Sequence, residues 1–259
     1  ITVGNVQSIV RNLPKIEKAF GTVIMDEAHH TPATTFTSII DKSHARYRLA
    51  LSGTMQRKDG KHVLFPDFFS DKVFKPEQSN TMVPSIKLLK TGIKLPIAST
   101  WADKITKLLS DREYQELIAS LALIQANKGH KVLVIADRVD FLKSINNMME
   151  HRSTIVVGET VDRKLELNKI ASGECDILCG SRQIFSEGIS QNELSCLILA
   201  VPIVNTPTLE QVIGRIMRLC KNKLNPIVID LQFSGPSEKI QNNKRLSFYL
   251  EKGWNVELL

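Results

Sequence analysis

Two neighbouring carboxylates follow a short apolar run near the start of the chain. Residues 22–25 lead directly into Asp26 and Glu27. A carboxylate pair at the end of a buried strand is costly to desolvate unless a cation or a bound water compensates. A nucleotide-bound Mg²⁺ offers that compensation, because Asp26 can hold its water shell while Glu27 deprotonates an attacking water. Alternatively, both side chains cap the helix that follows.

A small polar group, Ser52-Gly53-Thr54, follows the next apolar run in the same way. Its hydroxyl groups can sense the state of a nucleotide site and relay it to another ligand. The tripeptide can equally be a polar turn after a strand, and taken alone it favours the turn.

An arginine-bearing helix is predicted near the end of the chain. Gln211, Arg215 and Arg218 recur at i, i+4 and i+7, which stacks them on one face of a helix over residues 208–219. Two arginines that project together can grip a terminal phosphate and stabilise its developing charge, although a solvated basic stripe is the alternative. Gly214 costs about 1 kcal/mol relative to Ala in a helix, which indicates a close approach to the backbone there.

Alternating strands and helices must position these groups. In the first third, the apolar runs 1–4, 22–25 and 47–52 each end where a charged or small polar residue follows. Buried parallel strands whose carboxyl ends line a ligand crevice show this pattern. We therefore predict an α/β arrangement with the polar groups at one sheet edge.

A second α/β domain is predicted after a change of character between residues 85 and 100, where prolines and a glycine precede a long helical pattern. We divide the chain into residues 1–92 and 93–259. Strands that alternate with helices predict right-handed crossovers and a parallel sheet. The predicted helices cover residues 101–127, 161–172 and 208–219, and the predicted strands cover 131–136, 153–157, 175–180, 195–201 and 226–231.

Composition indicates a globular protein with an anionic partner. The 259 residues are 42% hydrophobic and 24% charged, and the net charge of +7 favours nucleic acid. No apolar run approaches the length of a membrane span and no signal sequence begins the chain, so we expect a soluble, cytoplasmic protein. Cys175, Cys179, Cys196 and Cys220 lack paired spacing and are expected to be reduced thiols rather than zinc ligands.

Taken together, the polar groups resemble motifs of the superfamily 2 helicases, in the family's order. The sequences Arg-Lys-Asp-Gly at 57–60 and Phe-Ser-Glu-Gly-Ile-Ser at 185–190 are similar to the UvsW-like and XPB-like DNA repair and branch-migration helicases. The resemblance implies two RecA-like lobes with parallel sheets flanked by helices, the first lobe being incomplete. The matching segments are residues 26–29, 52–54, 181–190 and 211–218, which resemble motifs II, III, V and VI.

The resemblance also implies a role for each matching position. Asp26 coordinates the Mg²⁺ of ATP through water and Glu27 is the catalytic base, while Arg215, Arg218 and Gln211 complete the ATP site from the second lobe. The positions implied to lie near the nucleotide are His29, Glu187 and Gly188. Those implied to contact nucleic acid, or to couple it to ATP, are Asn5, Gln7, Ser8, Ser52, Thr54, Arg138 and Ser181. Asn5 stands where relatives often have Thr, and Ser190 stands where many have Asp.

No phosphate-binding loop of the form Gly-x-x-x-x-Gly-Lys-Ser/Thr occurs in the chain, since Gly60-Lys61 is followed by His62. Without that cradle the β and γ phosphates lack their main anchor. We therefore expect the C-terminal portion of a longer, monomeric, ATP-dependent DNA helicase or translocase, acting on forked or branched DNA in a phage or bacterial cytoplasm. This portion alone is not expected to hydrolyse ATP.

Other functions stay open. The chain can be an ATP-independent nucleic-acid-binding module, the motor subunit of a restriction enzyme, or an RNA helicase, although RNA is the less favoured substrate. A dinucleotide-dependent enzyme is disfavoured, because no Gly-x-Gly-x-x-Gly follows a predicted strand.

Overall fold

The structure is a computed structural model, and the chain divides into two compact units, Ile1–Glu77 and Gln78–Leu259. The predicted division after residue 92 differs from this one, because the strand Ser85–Lys94 pairs within the sheet of the second unit. The residues that the structure describes are 1–28, 34–52, 65–70, 72–74, 81–98, 100–187 and 191–259.

In the first unit, two parallel strands pack with short helices. Strands β1 (Thr22–Met25) and β2 (Tyr47–Ala50) pair in parallel, as the sequence predicts. The helices are α1 (Val6–Ile16), α2 (Thr34–Lys42) and α3 (Phe65–Phe68). One buried cluster of the unit contains Met25 of β1, Ala28, and Ile39 and Ile40 of α2, and apolar side chains of α1 pack against it.

Residues 1–4 do not form the predicted strand. They are exposed, and the chain enters α1 at Asn5, whose side-chain oxygen accepts a hydrogen bond from the backbone N–H of Ser8 at 2.8 Å. A strand needs a neighbour to satisfy its backbone groups, and the described sheet of this unit consists of β1 and β2. The N-cap therefore sets the local structure here.

A parallel sheet forms the centre of the second unit. Its strands are β3 (Ser85–Lys94), β4 (Val132–Ala136), β5 (Ser153–Val156), β6 (Ile177–Ser181), β7 (Cys196–Leu199), β8 (Ile227–Ser234) and β9 (Asn255–Leu258). Among the described residues these strands form one sheet of order β5-β6-β4-β7-β8-β3-β9, and every neighbouring pair is parallel. The five strands predicted for this domain are confirmed as β4 to β8.

Helices cover both faces of this sheet. The helix predicted over residues 101–127 is two helices, because the extended backbone of Asp111 ends the first and its side chain caps the second by accepting from the Tyr114 N–H at 3.0 Å. The helices are α4 (Trp101–Ser110), α5 (Arg112–Asn127), α6 (Val139–Met148), α7 (Arg163–Ala171), α8 (Arg182–Glu187), α9 (Thr206–Met217) and α10 (Pro236–Glu251).

Strand β4 shows how the sheet divides the core. Val132, Val134 and Ala136 belong to a buried cluster with α4, α5 and α6, whereas Leu133 and Ile135 belong to a cluster with α9 and α10. A continuous apolar run buried on both faces is typical of a central parallel strand. Burying each Val, Leu or Ile side chain stabilises the fold by about 1.5–3 kcal/mol.

Helix α10 is joined to β8 by a buried ion pair. Arg245 Nη2 donates to Asp230 Oδ1 at 2.8 Å, and the Tyr249 hydroxyl donates to Asp230 Oδ2 at 3.0 Å. Because both charges are about 1% exposed, removing one partner would leave the other charge buried and uncompensated. Among the described helices, none is long and apolar enough to cross a membrane.

Candidate functional site

Asp26 and Glu27 lie in the turn that directly follows β1, and both are exposed. The backbone N–H of Glu27 donates to Asp26 Oδ1 at 2.9 Å, which orients the Asp26 carboxylate. The residues on either side are fixed to the end of β2. Leu51 N–H donates to the Met25 carbonyl at 2.8 Å, and Ala28 N–H donates to the Leu51 carbonyl at 2.9 Å. Two exposed carboxylates therefore project from a turn that is anchored at both ends.

Glu27 adopts an unusual backbone conformation. Its φ of 51° lies in the left-handed region, which costs a residue with a Cβ atom about 1–3 kcal/mol. The flanking anchors maintain it, since Met25 is 7% exposed and Ala28 is fully buried. Strain of this kind persists where the surrounding structure fixes the direction of a side chain.

The capping alternative concerned the helix that follows the carboxylates, and the next described helix, α2, begins at Thr34. Asp26 and Glu27 lie in the turn directly after β1 and do not directly precede that helix.

Ser52 lies at the same sheet edge as the carboxylates. Strands β1 and β2 are parallel with Met25 opposite Ala50, so the residues that follow each strand emerge side by side. His29 and Thr54 lie outside the described residues. At this edge the structure therefore brings together Asp26, Glu27 and Ser52.

Asn5, Gln7 and Ser8 lie at the start of α1. Asn5 is the N-cap, and the Ser8 carbonyl accepts from Asn12 Nδ2 at 2.9 Å. Gln7 and Ser8 are exposed, while Val6 on the same helix packs against the buried core of the unit. Asn5 therefore has a structural role of its own, whatever ligand the exposed side chains meet.

The Asp26 and Glu27 carboxylates can be compared with the ligands that a magnesium ion requires. Among the described residues no group of three or more His, Cys, Asp and Glu side chains could hold a metal. Asp26 and Glu27 supply two carboxylates only, which suits a Mg²⁺ that takes most of its ligands from water and nucleotide phosphates.

In the second unit, Gln211 and Arg215 lie on α9 but Arg218 does not. The helix ends at Met217, and Arg218 is its C-cap with an extended backbone (φ −65°, ψ 139°). Met82 N–H donates to the Met217 carbonyl at 2.7 Å, and Thr81 forms an antiparallel bridge with Arg218. The predicted i, i+7 stacking of Arg218 on Gln211 is therefore wrong, because a distant segment draws the chain out of the helix.

Arg215 donates a hydrogen bond to helix α8, which lies within motif V. Its Nε donates to the Phe185 carbonyl at 2.7 Å, and Phe185 in α8 is fully buried. A Cβ placed on Gly180 in β6 would lie 2.0 Å from Cε2 of the Phe185 ring. Gly180, Phe185 and Arg215 thus form a continuous series of contacts, which we call the 180–185–215 series.

Gly214 shows no close approach within the described part of the chain. A Cβ placed there would have no atom within 4 Å. The contact predicted from this glycine is therefore absent among the described residues of the unit.

Arg138 and Ser181 lie at the carboxyl edge of the second sheet. Ala136 pairs with Ser181 across β4 and β6, so the residues that follow both strands are neighbours. Arg138 is exposed, and its Nε donates to Thr106 Oγ1 of α4 at 3.1 Å. Glu187 ends α8, whereas Gly188 and Ser190 lie outside the described residues.

Sequence reasoning missed an ion pair at this edge. Arg182 Nε lies 2.9 Å from Asp137 Oδ1. Asp137 directly follows a predicted strand, which is the same signal that singled out Asp26, whereas Arg182 directly follows β6 only as the structure bounds it. The pair links the turn after β4 to the start of α8.

Comparison with known proteins gives matches over both units. Residues 1–57 match the family model for the type III restriction enzyme res subunit, and residues 113–220 match the helicase conserved C-terminal domain. The probable helicase D10 of Escherichia phage T5 is 40% identical over 99% of this chain and 58% of that protein. The ATP-dependent DNA helicase uvsW of Enterobacteria phage T4 is 25% identical over 98% of this chain and 55% of that protein.

Solved structures show the same architecture. Dbp5 of S. cerevisiae, bound to RNA and ADP BeF3, superposes with a TM-score of 0.66 at 10% identity, over 99% of this chain and 65% of that one. The expected RecA-like fold, with parallel sheets flanked by helices, is confirmed. The chain spans little more than half the length of the curated relatives named above.

Proposed function

We propose, on the premise that this chain belongs to the superfamily 2 helicases and resembles UvsW among them, that its parent protein is an ATP-dependent DNA helicase or translocase. The observation that carries the proposal is the anchored turn after β1, which holds two exposed carboxylates, one of them on a strained backbone. That arrangement suits ATP hydrolysis better than a passive binding surface, because binding phosphate alone calls for cations.

In the proposed reaction Asp26 and Glu27 divide the work. Bound MgATP supplies the transferable phosphoryl group. Asp26 would hold the Mg²⁺, which would neutralise charge on the phosphates, and Glu27 accepts the proton of the attacking water. The fixed backbone around Glu27 orients its carboxylate in advance of the reaction.

Arg215 and Arg218 stabilise the negative charge that develops on the phosphates, with Gln211 beside Arg215. The hydrogen bond from Arg215 Nε to the Phe185 carbonyl fixes the direction of that guanidinium. A guanidinium binds phosphate oxygens in a planar fork. The resemblance implies that Ser52, with His29 and Thr54, couples the nucleotide to the nucleic acid. It also implies that Glu187 and Gly188 contact the nucleotide.

We propose that nucleic acid contacts Gln7 and Ser8 at the start of α1, and Arg138 and Ser181 at the carboxyl edge of the second sheet. Contacts of this type reach phosphates and sugars, which carry little sequence information. We therefore propose that the parent protein selects forked or branched DNA by structure, in repair, recombination or replication, and binds more weakly as salt rises.

The first experiment is nucleic-acid-stimulated ATP hydrolysis by the longest natural reading frame that contains this chain. Forked DNA, duplex DNA and RNA are compared as stimulants. Glu27→Gln is expected to lower kcat by about 10²–10⁴-fold, the usual contribution of a general base. Glu113→Gln is the matched control, because Glu113 is an exposed glutamate in the second unit, and it should leave kcat unchanged.

The outcomes separate the candidate functions. Hydrolysis that needs DNA and collapses in Glu27→Gln supports the helicase, whereas stimulation by RNA alone supports an RNA helicase. Folded wild-type protein that hydrolyses no ATP with any nucleic acid contradicts the motor and supports an ATP-independent binding module.

A restriction-enzyme motor is the second candidate, favoured by the match of residues 1–57 to the restriction res subunit. A motor of that kind needs a nuclease elsewhere in the protein. Cleavage of duplex DNA in the presence of ATP would support it over the proposed helicase.

A further inference from the structure

Lys223, in the loop between α9 and β8, joins two backbone segments through its ammonium group. Lys223 Nζ donates to the Asn192 carbonyl at 2.9 Å and to the Arg218 carbonyl at 2.7 Å. Asn192 follows the motif V segment, residues 181–190, and Arg218 is the second arginine of motif VI. One side chain therefore contacts the backbone next to both motifs.

The contact completes the end of α9. The last carbonyl groups of a helix need partners from outside it. The Met217 carbonyl accepts from Met82 N–H, and the Arg218 carbonyl accepts from Lys223. A cation at a helix C-terminus also interacts favourably with the helix dipole.

The backbone conformation of the loop places Lys223 next to these two carbonyl groups. Asn222 has a φ of 61°, in the left-handed region that reverses the chain direction, and Lys223 N–H donates to the Cys220 carbonyl at 3.4 Å. Lys223 is half-buried, and burial lowers its pKa to about 8; Cys220 and Glu193 oppose this shift, and the nearby Arg218 cation adds to it. A half-buried cation with two backbone acceptors differs from an ordinary solvated lysine.

We propose that Lys223 is a positioning residue for Arg218. By holding the Arg218 carbonyl, it fixes the backbone from which that guanidinium projects. By holding the Asn192 carbonyl as well, it links this backbone to the described segment that begins at Gln191, after motif V. The proposal rests on the proposed role of Arg218 in ATP hydrolysis.

The first test measures positioning without ATP. Hydrogen exchange of the backbone amides in residues 215–220 is compared in this chain carrying Lys223→Met or Lys221→Met. Lys221 is an exposed lysine of the same loop, so its replacement removes the same charge without the two contacts. Lys223→Met is expected to exchange about tenfold faster, as loss of a charge-assisted hydrogen bond predicts, while Lys221→Met matches wild type.

The second test measures kcat and KM for ATP in the parent protein. Lys223→Met is expected to lower kcat about tenfold with little change in KM, because the fault lies in charge stabilisation rather than in binding. Lys223→Arg keeps a cation with several donors and is expected to recover most of kcat. Melting temperatures within a few degrees of wild type verify that each variant is folded.

Three results would overturn the proposal, and they are distinguishable. We call the two hydrogen bonds from Lys223 to the Asn192 and Arg218 carbonyl groups the Lys223 clamp. Equal exchange rates in Lys223→Met and Lys221→Met would show that this clamp does not hold the backbone. Faster exchange with unchanged kcat, in a parent protein that hydrolyses ATP, would show a clamp without a role in the reaction. A wild-type parent protein without ATPase activity would remove the proposed function first, while the exchange data would still report the clamp.

Discussion

Phe185 shows how one residue can serve packing and positioning together. Its ring fills the space above Gly180, and its carbonyl accepts the Nε donor of Arg215. The sequence indicates motif V and motif VI separately, but it cannot show that a backbone carbonyl of one holds an arginine of the other. Backbone acceptors carry no sequence signal, so this link becomes visible only in three dimensions.

Gly180→Ala tests the 180–185–215 series. The new Cβ would lie 2.0 Å from the Phe185 ring, which is fully buried. Overpacking of this kind costs about 1–3 kcal/mol, and we expect the melting temperature to fall by roughly 2–10 °C. Thermal unfolding followed by circular dichroism measures the change.

The control for this prediction is Gly158→Ala. Within the described part of the chain, a Cβ there meets no atom within 4 Å, so its melting temperature should stay close to that of wild type. Equal melting temperatures for the two variants would show that Phe185 moves away from Gly180 at little cost.

The position of Arg218 could not be predicted from the local spacing of residues. The spacing from Gln211 to Arg218 is helical, and the helix is real as far as Met217. The helix ends there because Thr81 and Met82 supply backbone partners from far along the chain. Helical spacing in the sequence predicts a helix well. It cannot show that backbone groups from a distant segment will end that helix.

At the scale of elements, the strands that the sequence predicts are those with continuous apolar runs. Strand β3 escapes prediction because lysines interrupt it, although Ile86 and Leu88 are buried two residues apart. Lys87 is accommodated by an ion pair with Glu257 of β9. A charged side chain within a strand is compatible with the sheet when an opposite charge compensates it. Here that opposite charge lies 170 residues later in the chain.

The amino ends of three strands are joined by a separate set of charges. Asp176, just before β6, accepts from Lys131 Nζ and from Arg152 Nη2, both at 2.8 Å. Lys131 precedes β4 and Arg152 precedes β5. Because parallel strands place ligand sites at their carboxyl ends, we interpret this network as structural.

Asp176→Asn is expected to show its effect as a function of pH. Burial raises the pKa of Asp176, but hydrogen bonds from Lys131 and Arg152 outweigh it and lower that pKa overall. The stabilisation is therefore fully present above the unfolded value of about 3.9 and is lost as pH falls through the folded value. At neutral pH the variant should be about 1 kcal/mol less stable, a small figure because the pair is partly solvated.

Urea unfolding at a series of pH values measures this difference. The gap between wild type and Asp176→Asn should close below pH 4. Glu174→Gln, at an exposed glutamate of the same unit, should change little at any pH. A gap that stays constant down to the acid limit would mean that the lost stability has no electrostatic origin.

At the scale of the whole molecule, the two-domain organisation follows from the order of the motifs, but the boundary does not. The prolines and the glycine between residues 84 and 96 indicate a linker by composition. In the structure that stretch includes β3, which pairs with β8 on one side and β9 on the other. Composition identifies residues that tolerate irregular backbone, whereas the boundary depends on which sheet the strand joins.

Two shortened chains test where the second unit begins. Residues 78–259 retain β3, and residues 93–259 lack nearly all of it. Removing β3 takes away Ile86, which is fully buried, and separates β9 from β8. We expect residues 78–259 to unfold in one cooperative transition and residues 93–259 to lose at least the roughly 3–5 kcal/mol that the buried side chains contribute. Thermal unfolding by circular dichroism compares them, and equal melting temperatures would place the boundary near residue 92 after all.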